Sequence, residues 1–168
     1  ALVANDPTLR VQVCYVDTVR RKTRYLSGIK RVWDEFKAFR PDLLHVHYGL
    51  SQVLCWPLPR KPTVVTFHGS DLTVRWQRRV SQLLLRRSTR VVVVTSRLLA
   101  YLPKLRDVAV VPCGVDAARF DIDRKEARAK LGIEPTDLVV LFGSHPAREV
   151  KRYDRFVAVS RVMGEASK

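Results

Sequence analysis

No apolar run in this chain approaches the ~18 residues that a membrane-crossing helix requires, so the sequence does not read as membrane-spanning. The N-terminus, ALVANDPTLR, has neither the charged start nor the long apolar segment of a secretory signal, and it has no initiator Met. Cysteine is scarce. Cys14, Cys55 and Cys113 form no CxxC and no zinc spacing, which argues against a disulfide framework and favours a reducing compartment. Each lies in or beside an apolar segment and reads as a small buried hydrophobe. There is no GxGxxG dinucleotide loop and no GxSxG nucleophile turn. Acid is also short: 16 Asp and Glu stand against 31 Lys and Arg, a net charge of +15. A field of that sign attracts phosphates, nucleic acid or an anionic membrane surface. Apolar residues, by contrast, make up 46% of the 168, enough for a domain core and too many for a disordered chain.

Short apolar runs alternate with amphipathic ones. Val11–Val16, Leu43–Val46, Thr63–Phe67, Val91–Thr95 and Val108–Val111 read as strands. Tyr25–Phe39 reads as a helix, with Leu26, Ile29, Val32, Trp33, Phe36 and Phe39 three and four apart. Residues 72–87 suit a helix with Leu72, Trp76, Val80, Leu83 and Leu84 on its core face, and Ser96 is placed to cap a short helix over Arg97–Leu102. Runs such as VVVV between helices indicate a parallel sheet covered on both faces. The expected fold is therefore α/β, a doubly wound Rossmann-like parallel sheet, whose ligands collect at the carboxyl ends of its strands. His47, His68, Ser96 and Cys113 lie at or just past those ends.

After Pro112 the character changes. Asp123 begins a short helix with Glu126 in capping-box position, ending at Leu131-Gly132. Val139–Phe142 reads as a strand, followed by a helix from about Tyr153 to Met163. The expected division is a first domain over 1–120, a linker with a short helix over 121–137, and the opening strand and helix of a second Rossmann-like domain over 138–168. A single strand–helix unit cannot bury itself, so the chain reads as part of something longer.

Several constellations carry chemistry. His45-Val46-His47 sets two imidazoles on one face of a strand. With His68 they could begin a metal site, as in a metal-dependent hydrolase, but the remaining ligand set is thin. One histidine hydrogen-bonded and one at a site edge is the plainer reading. Residues 20–40 hold eight Lys and Arg, and residues 75–90 hold six Arg and no acid. A solvated face is the default for each, and contact with anionic lipid comes next. Nucleic acid is not expected, because no reading motif occurs and the aromatics Tyr25, Trp33, Phe36 and Trp76 fall at core spacing. The loop LFGSHPAREVKRYD offers Gly143 and Ser144 backbone N–H groups, the cations Arg148, Lys151 and Arg152, and a following helix N-terminus, a combination suited to a phosphate or diphosphate.

Five segments in this order, PDLLHVHYGLS, PTVVTFHGSDL, RRSTRVVVVTSRLLAYLP, VAVVPCGVDAARF and LVVLFGSHPAREVKRYD, resemble glycosyltransferase family 4, over about residues 24–160. The resemblance implies a GT-B fold of two facing Rossmann-like domains, with the acceptor on the N-terminal one and the donor on the C-terminal one. It implies a hexosyltransferase-type transfer from a nucleotide diphosphate sugar to a lipid or saccharide, retaining and independent of a metal or other cofactor. It places His68 against the transferred sugar and Lys151 on the donor diphosphate, where a cation meets the charge of the leaving group. Gly143, Ser144, Arg148 and Lys151 then form the donor-phosphate set. His47, Tyr48, Gly49, Gly69, Ser70, Asp71 and Ser96 form the acceptor side. Ser144 departs from the Gly-Arg that many members carry, and Arg148 is the candidate substitute. The family's Gly-rich first loop and paired glutamates have no match here, so the resemblance implies a fragment lacking its first strand and inactive alone. It fits a cytoplasmic protein touching the inner face of the cell membrane through basic stretches 20–40 and 75–90. The alternative is a non-catalytic basic module that binds anionic lipid or polymer.

Overall fold

The structure, a computed structural model, describes residues 6, 8–16, 24–104 and 107–166. Positions 20–23 of the first basic stretch lie outside that range. The chain forms two compact units that divide between Val115 and Asp116, and the segment expected as a linker over 121–137 falls within the second.

The first unit opens with helix α1 (Arg24–Phe39), then strand β1 (Leu44–His47), a 3-10 turn (Gly49–Ser51) leading into the one-turn helix α2 (Gln52–Cys55), strand β2 (Thr63–Phe67), helices α3 (Ser70–Thr73) and α4 (Arg75–Leu84), strand β3 (Arg90–Val93), a 3-10 helix (Ser96–Tyr101) and strand β4 (Val108–Val110). The strands form one sheet in the order β1-β2-β3-β4, every pair parallel. The α/β Rossmann-like expectation is met. Parallel pairing requires a return connection after each strand, and the helical segments supply it. All four carboxyl ends therefore lie on one edge.

The core sits on one face. Val46, Val65, Phe67, Val91 and Val93 pack with Leu72, Leu85 and Leu98 from the connections. Burying each such side chain contributes roughly 1.5–3 kcal/mol. Burial alternates along β3, with Val91 and Val93 buried and Val92 only half so, and His45, His47 and Ala109 are exposed on the other face. On that second face Thr66 is buried and Val64 and Val92 are half-buried, so among the described residues its covering is partial.

Three local expectations are corrected. Val11–Val16 is not a strand. The segment runs along α1, with Gln12 Nε2 donating to Glu35 Oε2 (3.1 Å), Arg10 over the Phe39 ring and Val16 against Gly28. Side-chain contacts hold it, and among the described residues no backbone ladder forms. The helix over 72–87 is broken at Val74, which is extended (φ −80°, ψ 120°). That break shifts the phase: Ser81 and Leu84 are buried, while Trp76 and Leu83 stand 60% and 59% exposed. Cys113 is exposed rather than buried.

The second unit holds α5 (Arg124–Leu131) and α6 (Tyr153–Ala166). Asp123 caps α5 as expected, its carboxylate accepting from the N–H groups of Lys125 (2.9 Å) and Glu126 (3.0 Å), and Gly132 closes the helix at φ 64°. The Glu126 carboxylate pairs with Lys130 instead of returning to the cap. Residues 139–142 are not a strand, since among the described residues none pairs with them. Phe142 instead packs its ring against Tyr153 and Phe156 of α6, at 5.0 and 5.2 Å between centroids. No helix among the described residues is long and apolar enough to cross a membrane.

Candidate active site

The carboxyl edge of the sheet gathers three histidines. Register pairs His45 with Val64 and His47 with Thr66, so both imidazoles project on the face that β2 continues into His68. His45 Nε2 lies 2.8 Å from Thr66 Oγ1, and its ring centroid is 4.3 Å from that of His47. His47 Nδ1 lies 3.0 Å from His68 Nε2. Partial burial lowers the pKa of His45, and the positive charge of a protonated His68 adds to it; His47 is lowered by burial and then by both neighbours. Both therefore favour the neutral imidazole.

Asp71 fixes the two loops from behind. It is fully buried. Its carboxylate accepts from Gly49 N–H (2.9 Å), from His68 N–H (3.2 Å to each oxygen) and from Gly69 N–H (2.8 Å). Asp71, counted on the acceptor side, thus turns its carboxylate inward, and this one side chain joins the end of β1 to the end of β2. Gly49 is buried so tightly that a Cβ would meet Ser81 Oγ at 2.3 Å and Phe67 Cε1 at 2.5 Å. Gly69 has open space around it but adopts φ 137°, which requires glycine. The reason for that glycine is backbone conformation.

Tyr48 carries its own strain, at φ 76°. It is pinned at both ends, its N–H donating to Thr66 O (2.9 Å) and its hydroxyl donating to Gln77 Oε1 (2.6 Å). Ser70 is exposed, 3.1 Å from the same hydroxyl. Ser96 is exposed and opens its 3-10 helix without a side-chain cap bond. Cys113, past β4, brings its Sγ to 4.0 Å from His68 Nδ1. The sequence placed Cys113 at a strand end but gave no sign of this contact, which depends on β4 pairing next to β3. The structure thus gathers His47, Tyr48, Gly49, His68, Gly69, Ser70 and Asp71 in one cluster, and shows no bond from Ser96 to it. Among the described residues no three His, Cys, Asp or Glu side chains are placed to hold a metal ion. A cavity of about 420 Å³ lies elsewhere, at the amino ends of the strands, between Leu44, Trp56, Lys61, Thr63 and Arg87. The histidines stand on an open surface of their unit.

In the second unit, the loop before α6 is tightly turned. Ser144 N–H donates to Phe142 O, Arg148 N–H to His145 O and Lys151 N–H to Arg148 O. Arg152, at φ 53°, pairs with Asp154 through two hydrogen bonds and so has its charge met locally. Arg148 and Lys151 are exposed and, among the described residues, make no ion pair.

Comparison with curated proteins yields no match. The model of Glycosyltransferase Family 4 matches residues 4–119, a span that contains every histidine, tyrosine, glycine and aspartate of the cluster around His68. The chain therefore belongs to Glycosyltransferase Family 4, and its histidine-edged sheet is that family's glycosyltransferase-type domain.

Proposed function

We propose that the protein takes part in moving a sugar from a nucleotide diphosphate donor to a saccharide or lipid acceptor, with retention and without a metal. His68 is the residue facing the transferred sugar. The observation that carries this reading is the way His68 is held: its ring by His47, its backbone by buried Asp71, at the strand edge where such sheets bind ligands. An exposed side chain fixed this firmly is suited to positioning a polar substrate. Lys151, with Gly143, Ser144 and Arg148, is proposed for the donor diphosphate, since its ammonium is exposed and unpaired among the described residues. In the product of the full coding sequence that carries this chain, His68→Ala is expected to lower transfer about 10²–10³-fold, with thermal melting unchanged because the ring is exposed. Lys151→Ala should act mainly on kcat. Chromatography of the glycosylated product reads both, and transfer at the wild-type rate in His68→Ala would overturn the assignment.

A second reading concerns partners. The break at Val74 turns Arg75, Trp76, Arg79 and Leu83 of α4 outward, an aromatic and an aliphatic side chain set among cations. That composition suits the interface of an anionic membrane, where each basic residue contributes about 1 kcal/mol. Flotation with vesicles of phosphatidylcholine and phosphatidylglycerol, and not with phosphatidylcholine alone, is the expected result. Trp76→Ala combined with Arg79→Glu should lower it at least about tenfold. Equal flotation on both vesicles would remove lipid charge from the account. A complete protein that floats yet transfers no sugar would favour the non-catalytic binding module.

A further inference from the structure

The three cysteines differ in setting. Cys55 is mostly buried, and burial pushes its thiol up to about 11, with Cys14 nearby adding to the effect and Arg87 offsetting part of it. Cys14 is half-buried. Cys113 alone among them is exposed, and it alone has an imidazole nitrogen beside its sulfur, His68 Nδ1 at 4.0 Å. The opposite nitrogen of that ring faces His47 Nδ1 at 3.0 Å, and the His47 ring lies tilted against that of His45. The groups that face one another here are thus a thiol, a first imidazole and a second imidazole, with Asp71 reaching His68 only through its backbone N–H.

We propose that Cys113, His68 and His47 form a thiol–imidazole–imidazole relay that makes Cys113 a selective modification site for soft electrophiles such as α,β-unsaturated carbonyls. The arrangement has the three parts of an activated nucleophile: a reactive atom, a base beside it and a group that orients the base. In the tautomer where neutral His47 accepts at Nδ1 from His68 Nε2–H, His68 Nδ1 is free to accept. His68 Nδ1 then takes the thiol proton. The sulfur forms a bond to the β-carbon of the unsaturated carbonyl, and the C=C π pair moves to the α-carbon. The proton held on His68 passes to that carbon. Thiol and alkene are consumed, a thioether is formed, and no oxidant or leaving group is needed. Cys113 lies at the carboxyl end of β4, so the adduct would stand against His68 itself.

The test uses N-ethylmaleimide at less than one equivalent near neutral pH, with peptide mapping by mass spectrometry. An ordinary thiol is only a few per cent thiolate there. Cys113 is expected to label at least about tenfold faster than Cys14 or Cys55, and at least about tenfold faster in the native chain than in the same chain unfolded in urea. His68→Gln should remove most of the native advantage, and His47→Gln should remove part of it. The native-to-unfolded ratio requires no variant, so it stands even if a substitution disturbs the loop. A ratio at or below one, or a Cys113 rate that His68→Gln leaves unchanged, would overturn the proposal. Neither readout involves sugar transfer, so failure here is separable from failure of the role proposed for His68.

Discussion

Asp71→Ala is expected to cost the first unit about 3–5 kcal/mol, read as a fall in the urea midpoint at constant slope. The carboxylate accepts from three backbone N–H groups on two different loops, and its side chain has no access to solvent. Each buried donor left without an acceptor costs about 1–3 kcal/mol. His68 and Gly69 are only partly covered, so water can reach their N–H groups and the full sum is not reached. Gly49, buried against Phe67, has no such relief. Asp71→Asn keeps one acceptor oxygen but turns an NH₂ toward donors, and its cost should fall between wild type and Asp71→Ala. Stabilities of small domains lie near 5–15 kcal/mol, so the alanine variant should be close to unfolding at ambient temperature. A loss below about 1 kcal/mol would remove Asp71 from the role of joining the loops.

Gly49→Ala should be nearly as damaging, at about 3 kcal/mol, the upper end of the usual overpacking range. The added methyl would overlap Ser81 Oγ, Ser81 Cβ and Phe67 Cε1, all within 2.7 Å. Phe67 and Ser81 are both fully buried, so neither can swing away. Among the described residues the Ser81 hydroxyl has no hydrogen-bond partner, so the obstacle is volume. Gly69→Ala provides the contrast. No atom would meet the new methyl, and only the φ of 137° resists it, at about 1–3 kcal/mol. Urea titrations of the two variants should therefore rank Gly49→Ala below Gly69→Ala. The reverse order would mean that backbone conformation outweighs packing at this edge.

The sheet was legible because its strands are short β-branched runs. Thr63–Phe67 falls where the pattern places it, and Leu44–His47, Arg90–Val93 and Val108–Val110 fall within a residue or two. Two other runs with strand-like content, 11–16 and 139–142, form no ladder among the described residues. Periodicity reports which side chains could share a face, whereas a strand also needs a neighbour, and that is not a local property. The helix over 72–87 misled for a related reason. One extended residue, Val74, resets the phase, and a moment summed along the sequence cannot register it.

The site was legible in part. Alternation correctly put His45 and His47 on one side of β1, and strand polarity put His68 at their edge. The contact between His47 and His68 depends on the register of β1 against β2, and that between His68 and Cys113 on β4 lying beyond β3. Asp71 was the least legible. A carboxylate shortly after a strand looks like a helix cap, and its bond to Gly49, 22 positions away, exists only once both strands are paired.

The order of the strands has a consequence for how the molecule is built during synthesis. Each strand pairs with the one just before it, from β1 to β4. Among the described strands none has a later segment inserted between it and its neighbour. Loop closure at each step involves only the connection just made, and that keeps the entropic cost of every addition small. In chain order Asp71 precedes β3, so the carboxylate that joins the ends of β1 and β2 is synthesised before the third strand.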